Sequence, residues 1–303
     1  MLLDTASLYF RAYFGVPESV RAPDGTPVNA VRGLLDFVTR LVEDRSPTRL
    51  VACMDADWRP QFRVDAIPSY KAHRVAAAAG PDEEEIPDTL APQVPVIEQV
   101  LDALGIARVG VAGFEADDVI ATMATLSTVP VDIVTGDRDL FQLVDDKRGV
   151  RVLYTVKGVA AHEVIDEAAV RERYGVPASA YADFATLRGD ASDGLPGVKG
   201  VGDKTAAQLI NEYGDLAGVR AAAADPAAKL TPARRARIVE ASDYLDVAPG
   251  VVRVVRDVPM APAAWDRPLP ATPADAPALD ELRRRWGLTG PVNRLLDVLA
   301  AHG

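Results

Sequence analysis

Nine carboxylates occupy sequence positions from which they could share divalent cations. Asp4 closes the apolar run Leu2-Leu3, and Asp55 follows the apolar run 50–54. Glu115, Asp117 and Asp118 fall in GFEADD, Asp137 and Asp139 in TGDRDL, and Asp190 and Asp193 in RGDASDGLPG. On a helix, Glu115 and Asp118 at i, i+3 share one face with Asp117 at its margin. On an extended segment, Asp137 and Asp139 project to the same side, and Asp190 and Asp193 can meet on one turn. Carboxylates gathered this densely repel one another unless cations lie between them. Hard oxygen donors without His or Cys suit Mg²⁺ or Mn²⁺, not zinc. A cluster of this size fits two ions, which together can activate water and stabilise the leaving oxygen in phosphodiester hydrolysis.

The competing view is that each acid is a helix cap or a solvated residue. That plainer reading is given to Asp145-Asp146 and to the charge run Glu83-Glu84-Glu85. Joint placement favours the metal reading for the nine. The apolar runs 2–3, 50–54 and 131–134 are short and bounded by polar or Gly residues, so they read as buried strands. Helical periodicity over 6–14, 29–44, 90–104 and 115–127 separates them. Strands alternating with helices predict a parallel sheet covered on both faces, with ligands beyond the carboxyl ends of the strands. Asp4, Asp55 and Asp137 stand at those ends.

Residues 59–95 show no strand pattern, passing from basic and aromatic residues through an Ala run to acids and prolines. A long excursion of this kind inside a compact domain is usually functional or mobile. Beyond about 158 the pattern is helical over 166–174, 178–187, 203–213 and 233–244, followed by an expected basic strand at 251–256. Residues 259–277 hold six prolines and six alanines and predict an extended surface connection. An amphipathic helix pair is expected at 279–286 and 291–300.

The chain has 303 residues and a formal net charge of −11. Setting the nine acids aside as ion ligands leaves 33 basic residues against 35 acids, or −2, a balance that permits basic patches. No apolar run approaches the ~18 residues of a membrane span, and the N-terminal segment lacks a basic leader, so a cytoplasmic protein is expected. The single cysteine, Cys53, excludes an internal disulfide and reads as a buried thiol. Histidines at 73, 162 and 302 are too scattered for a His-based site.

The basic residues have a pattern of their own. The stretch 195–206, LPGVKGVGDKTA, places Gly197, Gly200 and Gly202 before a helix, with Lys199, Lys204 and Thr205 beside them. Glycines let backbone amides approach a phosphate, and a helix N-terminus favours the anion. The spacing is not that of a nucleotide P-loop, and a simple tight turn remains the alternative. Tyr70, Lys71 and Arg74 in SYKAHR mix aromatic and cationic groups suited to base stacking and phosphate contact. A solvated loop is the alternative there.

Taken together, the stretches LLDTASLYFRAYFG, DGTPVNAVRG, FRVDAIPSYKAHR, GFEADDVIAT, IVTGDRDLFQLV and YGVPASAYADFATLRGDASDGLPGVKGVGDKTAAQLI resemble the bacterial 5′ nucleases. These are the N-terminal nuclease domain of DNA polymerase I and the stand-alone flap endonucleases. The stretches occur in family order and cover about residues 1–215.

The resemblance implies an α/β fold: a central, mainly parallel, PIN-like sheet flanked by helices, with a C-terminal helical subdomain. The division expected is a nuclease core over 1–158, with an arch segment at about 59–95. A DNA-binding part over 159–303 would carry a helix–three-turn–helix element at about 184–213 and the Pro/Ala-rich extension. On the family pattern Asp4, Asp55, Glu115, Asp117 and Asp118 match the acids around a first Mg²⁺ or Mn²⁺. Asp137, Asp139, Asp190 and Asp193 match those around a second.

By the same resemblance Lys71 and Arg74 match the cations that contact the scissile phosphate, and the 195–206 turn matches the element that grips duplex backbone with a K⁺ ion. The implied activity is 5′→3′ exonuclease and flap endonuclease cleavage of branched or 5′-ended DNA (flaps, nicks, gaps, RNA-primed ends) by a monomer. His73 departs from the Asn or Gly usual in the family, and the arch residues 75–88 are unusually rich in alanine and acids. Two other classes would use these residues differently. A phosphoaspartyl hydrolase needs an acid two residues after Asp4, where Ala6 stands. A non-catalytic DNA-structure binder would use the Gly-rich turn alone.

Overall fold

The computed structural model describes residues 1–76 and 84–302. Six strands among them form one sheet: β1 (Leu2–Asp4), β2 (Val51–Cys53), β3 (Ala107–Val109), β4 (Val131–Thr135), β5 (Val150–Tyr154) and β6 (Glu163–Ile165). Their order is β3-β2-β1-β4-β5-β6, parallel throughout except for the antiparallel β5–β6 pair. This is the mainly parallel α/β architecture expected.

Side chains alternate cleanly between the two faces, as period-2 geometry requires. Leu2, Val51, Cys53, Ile133 and Val152 enter one buried layer, while Leu3, Ala52, Val134 and Leu153 enter the other. Cys53 is the buried thiol anticipated. Arginine explains why β3 and β5 escaped the apolar-run reading. Arg108 and Arg151 interrupt them, each paired with acids: Arg108 with Glu98 and Asp102, Arg151 with Asp132.

The second layer is covered by α1 (Thr5–Gly15), α2 (Asn29–Arg45) and α4 (Val94–Leu104). On α2 the buried Leu34, Leu35, Val38, Leu41 and Val42 recur at helical spacing. The first layer is covered by α5 (Ala116–Leu126), and α7 (Tyr181–Arg188), α8 (Asp203–Tyr213), α9 (Leu216–Ala224) and α11 (Ser242–Val252) continue it. The short α3 (Gln61–Ala66) opens the 59–95 excursion, α6 (Glu167–Tyr174) follows β6, and α10 (Pro232–Glu240) precedes α11. Residues 77–83 of the expected arch lie outside the described residues. On either side of them, Val75 bridges to Glu84 and the Glu85 amide donates to the Arg74 carbonyl.

Three expectations need correction. The helix expected over 233–244 is two helices, α10 and α11, divided at Ala241. The strand expected at 251–256 is instead the end of α11 and an irregular strap. Its backbone is satisfied by buried side chains in place of a neighbouring strand: Val254 N–H donates to Gln142 Oε1 and Val255 N–H to Asp118 Oδ1. The third concerns the chain beyond 158. There β6 joins the sheet, and α12 (Ala276–Trp286) and α13 (Thr289–His302) return to pack on α4 and α2. The extended connection from α11 to α12 is held by backbone bonds from Leu269 to Thr48 and from Asp275 to Ala103.

Candidate metal centre and nucleic-acid interface

Three adjacent strands, β2-β1-β4, end side by side, so Asp4, Asp55 and Asp137 arrive at one rim of the sheet. Asp4 ends β1 and also caps α1, accepting from Ser7 N–H at 3.1 Å. Thr135, fully buried, donates its hydroxyl to Asp4 at 2.6 Å and accepts from the Asp137 amide at 2.8 Å. Asp137 in turn accepts from the Asp139 amide at 2.8 Å. Asp55 accepts from the Ala116 amide at 2.7 Å, which ties the end of β2 to the start of α5. These local bonds fix the backbone and leave the carboxylates facing inward.

A cavity of about 380 Å³ results, lined by Asp4, Asp55, Glu115, Asp117, Asp137 and, opposite them, Lys71 and Arg74. Burial pushes the Asp4 carboxyl up to about 7, and the neighbouring Asp55 adds to the effect. Asp117 is held well above the usual carboxylate range by burial and then by Asp137, Asp4 and Glu115. Asp139 is raised by burial, then by Asp137, Asp193 and Asp190, and its Oδ1 is buried with no hydrogen-bond partner. Crowded oxygen donors that hold protons this tightly fit a divalent cation in chemistry. No three of them stand together as a ready-made cage among the described residues.

The remaining acids are already engaged. Asp190 pairs with Arg138 at 2.5 Å and Arg188 at 3.3 Å. Burial works against its charge, but Ser192 and Arg138 hold the carboxyl below its ordinary range. Asp193 pairs with Arg74 at 2.9 Å. Glu115 is buried and accepts from Arg63 at 2.5 Å, from the Tyr70 hydroxyl at 2.7 Å, and from Lys71.

Asp118, expected beside a metal, has its carboxylate turned away from the cavity. Arg63 binds both of its oxygens at 2.7 Å. Tyr70, expected to stack on a base, is 4 % exposed, and its ring lies under the Lys71 ammonium at 5.2 Å. With both faces packed, it cannot receive a nucleotide and serves as a donor to Glu115.

The 59–95 excursion is stapled to the 190–194 turn. Ser69 donates its hydroxyl to the Gly194 carbonyl at 2.8 Å, Lys71 N–H donates to Asp193 C=O at 3.0 Å, and Arg74 reaches Ser192 C=O at 2.9 Å. A Cβ on Gly194 (φ +73°) would stand 2.2 Å from the Ser69 carbonyl oxygen, so only glycine allows this approach. Further along, Lys199, Gly200 and Gly202 are exposed before α8, Lys204 is exposed and Thr205 half-buried in its first turn, and Gly197 packs against the Arg188 carbonyl. Reading the sequence missed Arg63, Arg138 and Glu84. Glu84 lines the cavity although its run looked like a solvated face. Arg138 sits in plain view between the acids of GDRD, whereas nothing in FRVDA marks Arg63 as buried.

Family models described as "5'-3' exonuclease, N-terminal resolvase-like domain" and "5'-3' exonuclease, C-terminal SAM fold" match residues 1–175 and 176–275. The chain belongs to the 5′-3′ exonuclease family. A 5'-3' exonuclease of Streptomyces coelicolor is 69% identical over 303 residues, covering 99% of this chain and 100% of its own. Another from Mycobacterium tuberculosis is 50% identical, over 99% of this chain and 97% of its own. DNA polymerase I of Mycobacterium bovis is 40% identical over 88% of this chain but only 29% of its own length.

Among solved folds, the bacteriophage T5 D15 flap endonuclease in a pseudo-enzyme-product complex with DNA and metal ions superposes with a TM-score of 0.68 at 17% identity. That match covers 99% of this chain and 98% of the other. Human GEN1 with Holliday junction DNA gives 0.64 at 18%, covering 99% and 71%. These two show the shared architecture. The family assignment removes the phosphoaspartyl hydrolase reading of this exonuclease.

The raised carboxyls carry a stability prediction. A carboxyl whose folded pKa lies above its unfolded value holds a proton in the native state that the unfolded chain has released. Its stabilising effect is therefore complete below about pH 4 and is lost as pH rises through the folded value, about 7 for Asp4. The slope is about 1.4 kcal/mol per pH unit for each proton so held. In excess chelator, Tm falls steadily between pH 5 and 7.5. In saturating Mg²⁺ the fall is reduced or reversed, because ion binding favours the deprotonated form. A chelated protein whose Tm rises over that interval contradicts the crowding described here.

Proposed function

We propose that this chain is a divalent-metal-dependent 5′→3′ exonuclease and structure-specific flap endonuclease acting on DNA in replication or repair. The observation that carries the proposal is the delivery of Asp4, Asp55 and Asp137 by three neighbouring strand ends to one cavity with Glu115 and Asp117, faced by Lys71 and Arg74. On this reading Asp4, Asp55, Glu115, Asp117 and Asp137 hold one Mg²⁺ or Mn²⁺. Asp139 and Asp193, with Asp137 between the groups, hold the second, and Asp190, its acceptor positions filled by Ser192, Arg138 and Arg188, fixes the turn that carries Asp193. When bound, such ions supply an activated water and neutralise the leaving oxygen. Lys71 and Arg74 bind the non-bridging oxygens of the scissile phosphate and offset charge that develops there. Their pairing with Glu115 and Asp193 keeps both cations at the rim of the cavity.

The 195–206 turn offers backbone amides at the N-terminus of α8, with Lys199 and Lys204 beside them, to a duplex phosphate. A K⁺ ion at the carbonyls of this turn belongs to the same proposal. So do a DNA-gripping role for the helical part around the 195–206 turn, a monomeric state and a cytoplasmic setting. No helix among the described residues is long and apolar enough to cross a membrane.

Contacts dominated by phosphate make binding salt-dependent and only weakly sequence-selective. Lys199→Ala and Lys204→Ala each reduce the slope of log K against log salt by about 1, measured by fluorescence anisotropy on a nicked duplex. Product mapping on a 5′-labelled flap, with and without Mg²⁺, tests the activity. Cleavage near the flap junction that stops in excess EDTA supports it. Cleavage that continues in EDTA, or binding without turnover in both Mg²⁺ and Mn²⁺, rejects it.

A further inference from the structure

Arg63 is 2 % exposed and belongs to α3, eight residues before Lys71. All of its hydrogen bonds point inward. Nη1 donates to Glu115 Oε2 at 2.5 Å and to Asp118 Oδ2 at 2.7 Å, Nη2 to Asp118 Oδ1 at 2.7 Å, and Nε to the Val251 carbonyl at 3.1 Å. Asp118 is fully buried, and its two oxygens also accept from the amides of Val255 at 2.8 Å and Glu115 at 3.3 Å. A carboxylate has about four acceptor positions, and all four on Asp118 are taken. Glu115 differs. Its Oε2 is filled by Arg63 and Tyr70, while Oε1 is bound by Lys71 at the cavity.

We infer that Asp118 is not a metal ligand, and that Arg63 and Asp118 together form a positioning pair for the reaction. The pair holds Glu115 so that one oxygen is locked inward and the other is presented to the cavity and to Lys71. It also joins three segments distant in sequence: α3, the N-terminal turn of α5, and the 251–255 strap. Two cations, Arg63 and Lys71, balance two carboxylates, Glu115 and Asp118, so the cluster is neutral without Tyr70. A bidentate guanidinium–carboxylate pair has the planar, directional geometry that such orientation needs. Removing one member leaves the other buried and uncompensated. Replacing both by apolar groups of similar volume can be tolerated by the fold.

The inference rests on the nuclease reading, and the experiment separates the two. Mn²⁺ binding is followed by the loss of free-ion EPR signal, alongside kcat and KM on a 5′-flap duplex and Tm, for Asp118→Asn, Arg63→Gln, Asp117→Asn and the double variant Arg63→Met/Asp118→Leu. Asp118→Asn and Arg63→Gln should bind the wild-type number of Mn²⁺ ions, with the about 10–100-fold cost of a lost outer support falling on activity. Their kcat should fall at least tenfold, with KM for the flap within about twofold. Asp117→Asn should weaken Mn²⁺ binding at least tenfold. The double variant should recover a near-wild-type Tm but not kcat, which separates positioning from folding. Loss of a bound ion in Asp118→Asn, or recovery of kcat in the double variant, overturns the inference. Absence of metal-dependent cleavage by the wild type would sink the nuclease reading, while the Mn²⁺ arm would still decide the role of Asp118.

Discussion

Asp137→Asn lowers kcat on a 5′-flap duplex by about 10³-fold or more, with flap binding in Ca²⁺ within about threefold of wild type. The size follows from the several kcal/mol of charge stabilisation that a metal site contributes, at 1.36 kcal/mol per factor of ten. The substitution is informative because it spares the fold. Asn retains the Oδ1 that accepts from the Asp139 amide at 2.8 Å, and the Asp137 amide keeps its bond to Thr135 Oγ1. Only the negative charge is lost, from a residue placed between the two groups of acids. Chelator-treated Asp137→Asn should also be at least as stable as chelator-treated wild type at pH 7.5, since one source of repulsion against Asp117 and Asp139 is gone. Quenched-flow cleavage and thermal unfolding read the two effects separately. A kcat within tenfold of wild type would remove Asp137 from the centre.

The second large effect is expected at Lys71. Lys71→Ala lowers kcat by about 10²–10³-fold, the usual cost of losing one preorganised charge at a reacting centre. The Lys71 backbone sits in the left-handed region (φ 50°), its amide held by the Asp193 carbonyl and its side chain on Glu115. That conformation is uncommon for a residue other than glycine and persists only when its surroundings fix it. Here the 190–194 turn does so, through Ser69, Lys71 and Arg74 together. Truncation at Cβ leaves those backbone bonds intact, so Tm should shift by only a few degrees, while the buried Glu115 loses one of its two cationic partners. The discriminating measurement is single-turnover cleavage at saturating Mg²⁺. If excess Mg²⁺ restored the wild-type rate, Lys71 would be acting on ion binding alone and its contact with phosphate would be wrong.

What could be read from the sequence, and what could not, follows physical lines. Strand ends marked by an acid were legible because a short apolar run followed by Asp leaves little choice of direction, and β1, β2 and β4 proved to be neighbours. Helix boundaries with caps or glycine stops, such as α8 at Asp203–Tyr213, were legible for the same local reasons. Strands carrying a central Arg were not, because Arg108 and Arg151 find partners only in three dimensions. The 251–256 strap looked like a strand because its Val/Arg alternation is genuine. Its hydrogen-bond partners, Gln142 and Asp118, come from more than 100 residues away.

The nine acids illustrate the limit at the site itself. Spacing could gather them but could not say which were already spoken for. Asp118 differs from Asp117 by one position, yet it faces a buried guanidinium whose partner choice no periodicity encodes. Tyr70 beside Lys71 had the composition of a stacking surface, and burial decided otherwise.

Divalent ions lying between these carboxylates are central to the proposed chemistry, and anomalous diffraction from a crystal soaked in Mn²⁺ tests for them most directly. The expected result is two peaks in the cavity, one about 2.1 Å from oxygens of Asp4, Asp117 or Asp137 and one on the Asp139–Asp193 side, with none at Asp118. A fully soaked crystal with no anomalous peak in the cavity, and the carboxylates still apart, would contradict it.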